Sequence, residues 1–400
     1  MKLVLVADAF PPMRTSAAVQ LRDLVREFVK QGHDLTVLLP SGDLRVPFEL
    51  NEFDGAQVLR LAAPRTKDVG YVRRTIAEWL MPYAMRHNFR KSPLASQRWE
   101  GVVWYSPSIF HAPLIRTLKR DSMCRSYLII RDIFPEWALD LGLMRPGLAY
   151  AFFKRIALKQ YEAADVIGVQ SPGNLGYFDF WFRERLDRRL EVLQNWLSPP
   201  AMSPCSIRLD ATSLAGRKVL VYAGNMGVAQ GLDILIELAD ILRHRRDIGF
   251  LFVGRGSDAQ RLEVMAVKLG LENVFFHPEI DPDEIPALYA QCAAGIVCLD
   301  KRHKSHNIPG KFLTYMQNGL PALAIVNRGN DLANLIRIET VGEVCESHNV
   351  DEVAKLITAL VDQVETDEKL SGRCRQLFES QFSVSQSVEQ IVAALEEGAQ

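Results

Sequence analysis

The sequence predicts an α/β chain of two doubly wound halves facing a cleft. Three observations carry that prediction. Short apolar strands alternate with amphipathic helices almost from end to end, the pattern of βαβ units and parallel sheets. The rhythm breaks once, at VLQNWLSPPAMSPC (192–205), where Pro199, Pro200 and Pro204 read as a linker. And 400 residues exceed what a single core usually covers.

Taken in order, KLVLVA (2–7) is a buried strand, followed by a Pro-Pro turn. A helix from about Thr15 to Gln31 comes next, ended by Gly32. DLTVLLP (34–40), QVLRLA (57–62), VVWYS (102–106), SYLIIR (126–131) and DVIGVQ (165–170) are further strands, with helices between most of them. Beyond the linker, KVLVYAG (218–224) is a strand and GLDILIELADILRH a helix. GFLFVG (249–254) is a strand, and a helix spans about Asp258 to Leu269. NVFFH (273–277), AGIVCL (294–299) and PALAIV (321–326) are strands, and helices near 349–364, 367–380 and 384–397 finish the chain. The expected boundaries are 1–197 for a first domain, 198–378 for a second, and 379–400 for a closing segment. Ligands of such sheets bind at the carboxyl ends of the strands, so the cleft between the halves is the expected active site.

The composition, 48% hydrophobic and 24% charged, is that of a soluble globular protein. Six scattered cysteines have no metal-ligand spacing and suit a reducing cytosol, with Cys292 and Cys298 read as small core residues. MKLVLVADAFPP reads as a first strand rather than a signal peptide, and no apolar run approaches the ~20 residues of a spanning helix. The net charge of −1 hides a division: residues 1–200 carry 28 Lys+Arg against 21 Asp+Glu, and residues 201–400 carry 19 against 27. A basic first half suggests an anionic partner there.

Three loops of the second half combine glycine with polar or cationic groups at strand ends. Gly224-Asn225-Met226-Gly227, continuing to Gln230 and Gly231, follows the first strand. Glycine there lets a ligand approach the backbone; a βα turn that needs glycine for steric reasons is the better explanation of that loop alone. Gly254-Arg255-Gly256 lacks the third glycine of a dinucleotide fingerprint, which excludes a hydride-transfer domain. Arg255 is either a phosphate ligand or a solvated surface charge. His277 ends the next strand. The loop 301–311 is basic and runs into Pro309-Gly310-Lys311, a cation at a helix start, where amides and dipole favour an anion. His303 and His306 lack the third and fourth ligands that zinc requires, so no metal is expected. Together the three loops point to the diphosphate of a nucleotide.

In the first half, Asp8 with Phe10-Pro11-Pro12 follows the first strand, and Arg14 is placed to reach a phosphate. Ser106 follows another strand, and Arg131, Asp132 and Glu136 follow a third. A carboxylate such as Asp132 either meets substrate hydroxyls or caps the turn behind it. Residues 65–91 hold seven Lys/Arg against two acids, interleaved with Tyr71, Trp79, Leu80, Met81, Tyr83 and Phe89, as in a segment lying on a membrane surface. Pro82 interrupts the expected helix. The stretch 149–160 is a second candidate, and a helix with its aromatics packed inward is the alternative for both.

The ordered motifs FPP (10–12), RDIFPEWALDLGL (131–143), LQNW (193–196), YAGNMGVAQGLD (222–233), FVGRGSD (252–258) and IPGKFLTYMQNGLPALA (308–324) resemble a GT-B fold glycosyltransferase of family 4, a retaining family. The similarity is greatest to the subgroup that transfers aminosugars of the L-fucosamine type in bacterial O-antigen synthesis. The resemblance implies a UDP-linked sugar donor, a substrate rather than a cofactor, on the second domain. It implies a lipid-linked or lipopolysaccharide acceptor on the first, and work on the cytoplasmic face of the inner membrane. It further implies a final helix that returns to the first domain. By position, Gly224 to Gly227, Gln230, Arg255, Gly256, His277, Pro309 to Lys311 and Thr314 would surround the donor; Arg131 and Asp132 would stand near donor sugar and acceptor hydroxyl; and Asp8, Arg14, Ser106 and Glu136 would line the acceptor side.

The chain departs from the family pattern at several points. Of a Glu-x7-Glu pair, the second, a ribose ligand, is Thr314, and the first aligns near His306. Asn225 and Gln230 occupy positions that carry arginine and lysine in many members, and Arg131 stands where a histidine is common. Lys311 and Arg255 would then replace the lost cations. Two other classes stay open: a sugar-nucleotide 2-epimerase, which makes product without acceptor, and a nucleotide-sugar-binding protein without activity.

Overall fold

A computed structural model describes residues 1–397 except 14, 68, 141, 185–186, 201–202, 228–229 and 302–306. It divides into two compact units: Met1–Gln194 with Val384–Gln400, and Asn195–Ser383.

The first unit is an eight-stranded sheet: β1 (Lys2–Val6), β2 (Asp34–Ser41), β3 (Phe48–Phe53), β4 (Ala56–Ala62), β5 (Gly101–Tyr105), β6 (Arg125–Ile129), β7 (Val166–Val169) and β8 (Arg189–Val192). The order is β3-β4-β2-β1-β5-β6-β7-β8, parallel except for the β3–β4 hairpin. From β1 the chain winds outward to β2 and β4, then returns to lay β5 on the other side of β1. Strand order therefore reverses at β1/β5, where ligands bind doubly wound sheets.

The second unit has β9 (Lys218–Ala223), β10 (Ile248–Val253), β11 (Val274–His277), β12 (Ala294–Cys298), β13 (Ala322–Ile325) and β14 (Gly342–Cys345). These pair in parallel as β11-β10-β9-β12-β13-β14, so the reversal falls at β9/β12. Strand side chains alternate between two apolar layers: Phe250 and Phe252 face one with Leu235 and Ile357, while Leu251 faces the other with Phe312 and Tyr315. Burial on both faces explains why these strands read as continuous apolar runs.

Three strands lie outside the sequence expectation. β3 joins β4 through Asp54 and Gly55, at φ 48° and 84°. Two successive left-handed residues are what a tight hairpin turn requires, and an Asp-Gly pair supplies them at low cost. β8 and β14 are four-residue edge strands, too short for a clear apolar run. The helix Tyr71–Phe89 is also a correction: it runs unbroken through Pro82. Ala77, Met81, Met85 and Phe89, spaced by four, bury one stripe together with Pro82 itself. That packing holds the helix across the one hydrogen bond the proline removes.

The boundaries fall at 194 and 383 rather than the expected 197 and 378. The second is late because Phe378 and Phe382 are buried in the core of the second unit. The helix Val384–Glu396 then packs in the first unit, with Val388, Ile391 and Leu395 buried. The Gln390 amide donates to Glu191 (2.8 Å) and to the Val192 carbonyl (2.9 Å). Among the described residues no helix is long and apolar enough to cross a membrane.

Candidate functional site

In the second unit the loops after β9, β10 and β11 are laced together by backbone. Gly224 N–H donates to the Val253 carbonyl (2.8 Å), Gly254 to His277 (3.0 Å), Met226 to Arg255 (2.8 Å) and Asp258 to Met226 (3.0 Å). At Gly254, φ is +142° and a Cβ would lie 2.1 Å from the Gly224 carbonyl oxygen. Only glycine fits there, and the reason is the neighbouring loop rather than a ligand. Gly256 lies equally tight against the Met226 backbone.

The helix Gly310–Gln317 brings Lys311 to these loops. Pro309 is its N-cap and no side chain caps it, so its first amides remain available to an anion. The Lys311 ammonium sits 4.6 Å from the centre of the Tyr222 ring. Its Cε would be 3.1 Å from a Cβ at Gly224. Burial lowers its pKa from the ordinary lysine value, opposed by the nearby Cys298. Among the described residues no carboxylate pairs with it. A desolvated cation held on an aromatic face and lacking an acid partner is a strong anion site.

Lys311 opens onto a cavity of about 560 Å³, lined also by Gly224, Asn225, Gly254, Arg255, Glu279 and Thr314, with Ile280, Pro282, Ile285 and Tyr289 as its apolar wall. Asn225 is exposed; its amide donates to Gln230 Oε1 (3.3 Å), which also accepts from the Gly227 N–H (3.0 Å). Gln230 thus serves the turn and does not line the cavity. The Thr314 hydroxyl donates to the Gly310 carbonyl at 3.1 Å. Arg255, its side chain 80% exposed, pairs with Glu279 at 3.0 Å.

Several expected donor residues are corrected. The Met226 side chain is buried in the core, because its loop folds back on the strand ends. The His277 ring turns to the Pro278 carbonyl (2.8 Å), outside the cavity lining. Gly256, Pro309 and Gly310 also stand outside that lining; Gly310 is exposed. Among the described residues no group of three or more His, Cys, Asp or Glu could hold a metal. His303, His306 and Arg14 lie outside the described residues.

In the first unit the polar residues gather at the β1/β5 reversal and on neighbouring β6. Asp132 is exposed, and among the described residues nothing donates to its carboxylate, so it does not cap the turn. Crowding raises its pKa, and Arg131 pulls the other way. Arg131 itself is buried, donates to the Leu193 carbonyl (3.2 Å) and lies over the Tyr105 ring (5.9 Å). It is a support beneath the loop rather than a group open to substrate. Ser106 is buried as well. Glu136 is buried in an ion pair with Lys154, which removes it from the acceptor side.

No sequence signal marked His111, a wholly buried imidazole whose Nε2 lies 3.8 Å from Asp8 Oδ1. Neither ring nitrogen has a hydrogen-bond partner among the described residues. Glu279 and Tyr222 were likewise missed: one is a lone acid after a proline, the other an interior residue of a strand.

On the helix Tyr71–Phe89, the residues opposite the buried stripe face solvent. Tyr71, Val72, Ile76, Trp79, Leu80 and Tyr83 are all exposed, Tyr71 at 90% and Trp79 at 50%. Their spacing places them along one face, flanked by Arg73, Arg86 and Arg90. The inward-packing alternative accounts for Met81 and Phe89 but not for these residues.

Residues 209–376 match the family model for glycosyl transferases group 1. WcaI of Escherichia coli K12, named as a colanic acid biosynthesis glycosyl transferase, is 26% identical over 87% of this chain and 86% of its own length. HepE of Anabaena, solved in complex with UDP, superposes with a TM-score of 0.65 at 15% identity, covering 99% of this chain and 100% of that one. WaaG, a glycosyltransferase involved in lipopolysaccharide biosynthesis, superposes with a TM-score of 0.59 at 14% identity, covering 99% and 100%. Residues 209–376 of the second unit are thus similar to glycosyl transferases group 1, and the chain has the two-domain α/β fold of the GT-B glycosyltransferases.

Proposed function

We propose that this chain is a retaining glycosyltransferase. It moves a sugar, an N-acetylated aminosugar, from a UDP-linked donor to a lipid-linked or lipopolysaccharide acceptor in bacterial surface glycan synthesis. The observation that carries the reading is Lys311, a half-buried cation without an acid partner among the described residues, beside the glycine loop of a nucleotide-sized cavity. WcaI by its name, and HepE by its bound UDP, support the acceptor and donor classes.

In this mechanism the bond from the anomeric carbon to the diphosphate oxygen breaks while the acceptor hydroxyl bonds to the same face. A phosphate oxygen takes the hydroxyl proton. Negative charge grows on the departing diphosphate, and Lys311 with the first amides of its helix stabilise it in a low-dielectric site. Transfer is metal-independent because the ammonium supplies the positive charge. The acceptor is received by the first unit, where Asp132 orients sugar hydroxyls and Arg131 holds the loop that presents it. The exposed face of the helix Tyr71–Phe89 rests on an anionic membrane surface, which keeps the protein peripheral on the cytoplasmic side of the inner membrane.

The test is transfer of label from UDP-N-acetylhexosamines to a membrane fraction bearing lipid-linked glycan, with an acceptor-free control. Labelled glycolipid with the α-configured linkage of an α-donor is the expected product. Conversion of the donor without acceptor would replace transfer by epimerisation, and binding with neither product would leave a protein that only holds the nucleotide sugar.

A further inference from the structure

We propose that Glu279 receives the ribose diol of the bound nucleotide, with Arg255 as the residue that positions it. This rests on the sugar-nucleotide reading above. The described lining of the cavity contains one carboxylate, Glu279, and one cation without an acid partner, Lys311. A nucleoside diphosphate has matching ends. Its pyrophosphate is anionic, and its ribose presents two neutral hydroxyl donors. Charge sorts them: the pyrophosphate goes to the ammonium, and the hydroxyls go to the carboxylate.

Thr314, at the position that resembles a ribose-binding glutamate, is unsuited to the task. Its hydroxyl hydrogen is already committed to the Gly310 carbonyl at 3.1 Å, so it offers only a neutral acceptor. A carboxylate is roughly twice as strong an acceptor as a neutral oxygen. Arg255 Nε holds Glu279 Oε2 at 3.0 Å, and no bond from a described residue reaches Oε1. The pair leaves one oxygen to accept from a diol. An exposed ion pair contributes little to stability, so a guanidinium held this way has its main effect on where the carboxylate points. Arg255 would then act on the ribose through Glu279 and not on the phosphate.

The test is calorimetric titration of the full chain with UDP and with 2′,3′-dideoxy-UDP, for wild type, Glu279→Gln and Arg255→Gln. GDP and ADP with their dideoxy forms are run alongside, and the tightest-binding base is used. The wild type is expected to bind the ribo form about tenfold or more tightly than the dideoxy form, the scale of hydrogen bonds to a charged acceptor. Glu279→Gln should lose most of that ratio by weakening only the ribo form, and Arg255→Gln should lose part of it. Equal weakening of both forms, or an unchanged ratio in Glu279→Gln, overturns the assignment and leaves the nucleotide reading standing. Failure of the wild type to bind any of the diphosphates overturns both.

Discussion

Replacing Lys311 with methionine should separate catalysis from stability. At about 4 Å and an effective dielectric near 20, an ammonium and a unit of charge on a diphosphate interact by about 4 kcal/mol. Roughly one unit of charge develops on the diphosphate as it departs, so losing that interaction corresponds to about three powers of ten in rate. The free helix amides retain part of the field, and the expected loss in turnover is on the order of 10²- to 10³-fold. Stability should move little, or upward. The methionine side chain can keep its contact with the Tyr222 ring. Burial has lowered the pKa of Lys311, so its protonated form is costly in the fold. Between the lowered value and the ordinary 10.5 the unfolded chain binds more protons, and this group makes stability rise with pH there. Below both values the full cost is present, and methionine removes it. In the wild type, UDP affinity should fall as pH climbs through the lowered value; in Lys311→Met it should stay flat. Label transfer, differential scanning calorimetry and titration with UDP read these effects. Turnover within tenfold of wild type, or a loss accompanied by a melting point several degrees lower, would refute the reasoning.

Three further variants test other parts of the molecule. Gly254→Ala puts a methyl 2.1 Å from the Gly224 carbonyl oxygen at a φ that L-residues avoid, so the unit should lose at least ~1–3 kcal/mol in chemical denaturation. Lys154→Met leaves Glu136 buried without its partner and should cost ~3 kcal/mol, with the acceptor KM unchanged; a changed KM at full stability would return Glu136 to the acceptor site. Trp79→Ala with Tyr83→Ala removes two exposed rings from the outer face of the helix Tyr71–Phe89. Co-sedimentation with anionic vesicles should drop several-fold while helicity by circular dichroism holds, and undiminished sedimentation would argue against a membrane role for that face.

The parallel βαβ order was legible because buried strands are apolar on both faces and stand out as runs such as KVLVYA and GFLFV. The β3–β4 hairpin carried its signal in Asp54-Gly55, within a polar stretch that lacks an apolar run. The helix through Pro82 was harder, because it bears apolar residues on two opposite faces and has little net periodicity. Lys311 was legible as a cation on a Pro-Gly corner. What the sequence withheld is direction. Met226 and Asn225 are neighbours on one loop, yet one fills the core and the other meets solvent. Arg131 reads as a catalytic cation beside Asp132 until the fold lays it over Tyr105. Arg255 reads as a phosphate ligand until Glu279, two dozen residues on and one strand over, is found beside it. These are consequences of tertiary placement, and local pattern does not encode them.

The helix Val384–Glu396 belongs to the unit that begins the chain, while residues 195–383 form the other. One body is therefore threaded through the sequence as an insert within the other. During synthesis the insert has all its own strands and helices before the surrounding sheet receives the segment that covers Leu3 and Gly101. Until then the part of the earlier-made sheet that this segment covers stays open, a surface for a chaperone or for aggregation. A nascent chain stalled just short of position 384 would carry a finished second body and an unsealed first one.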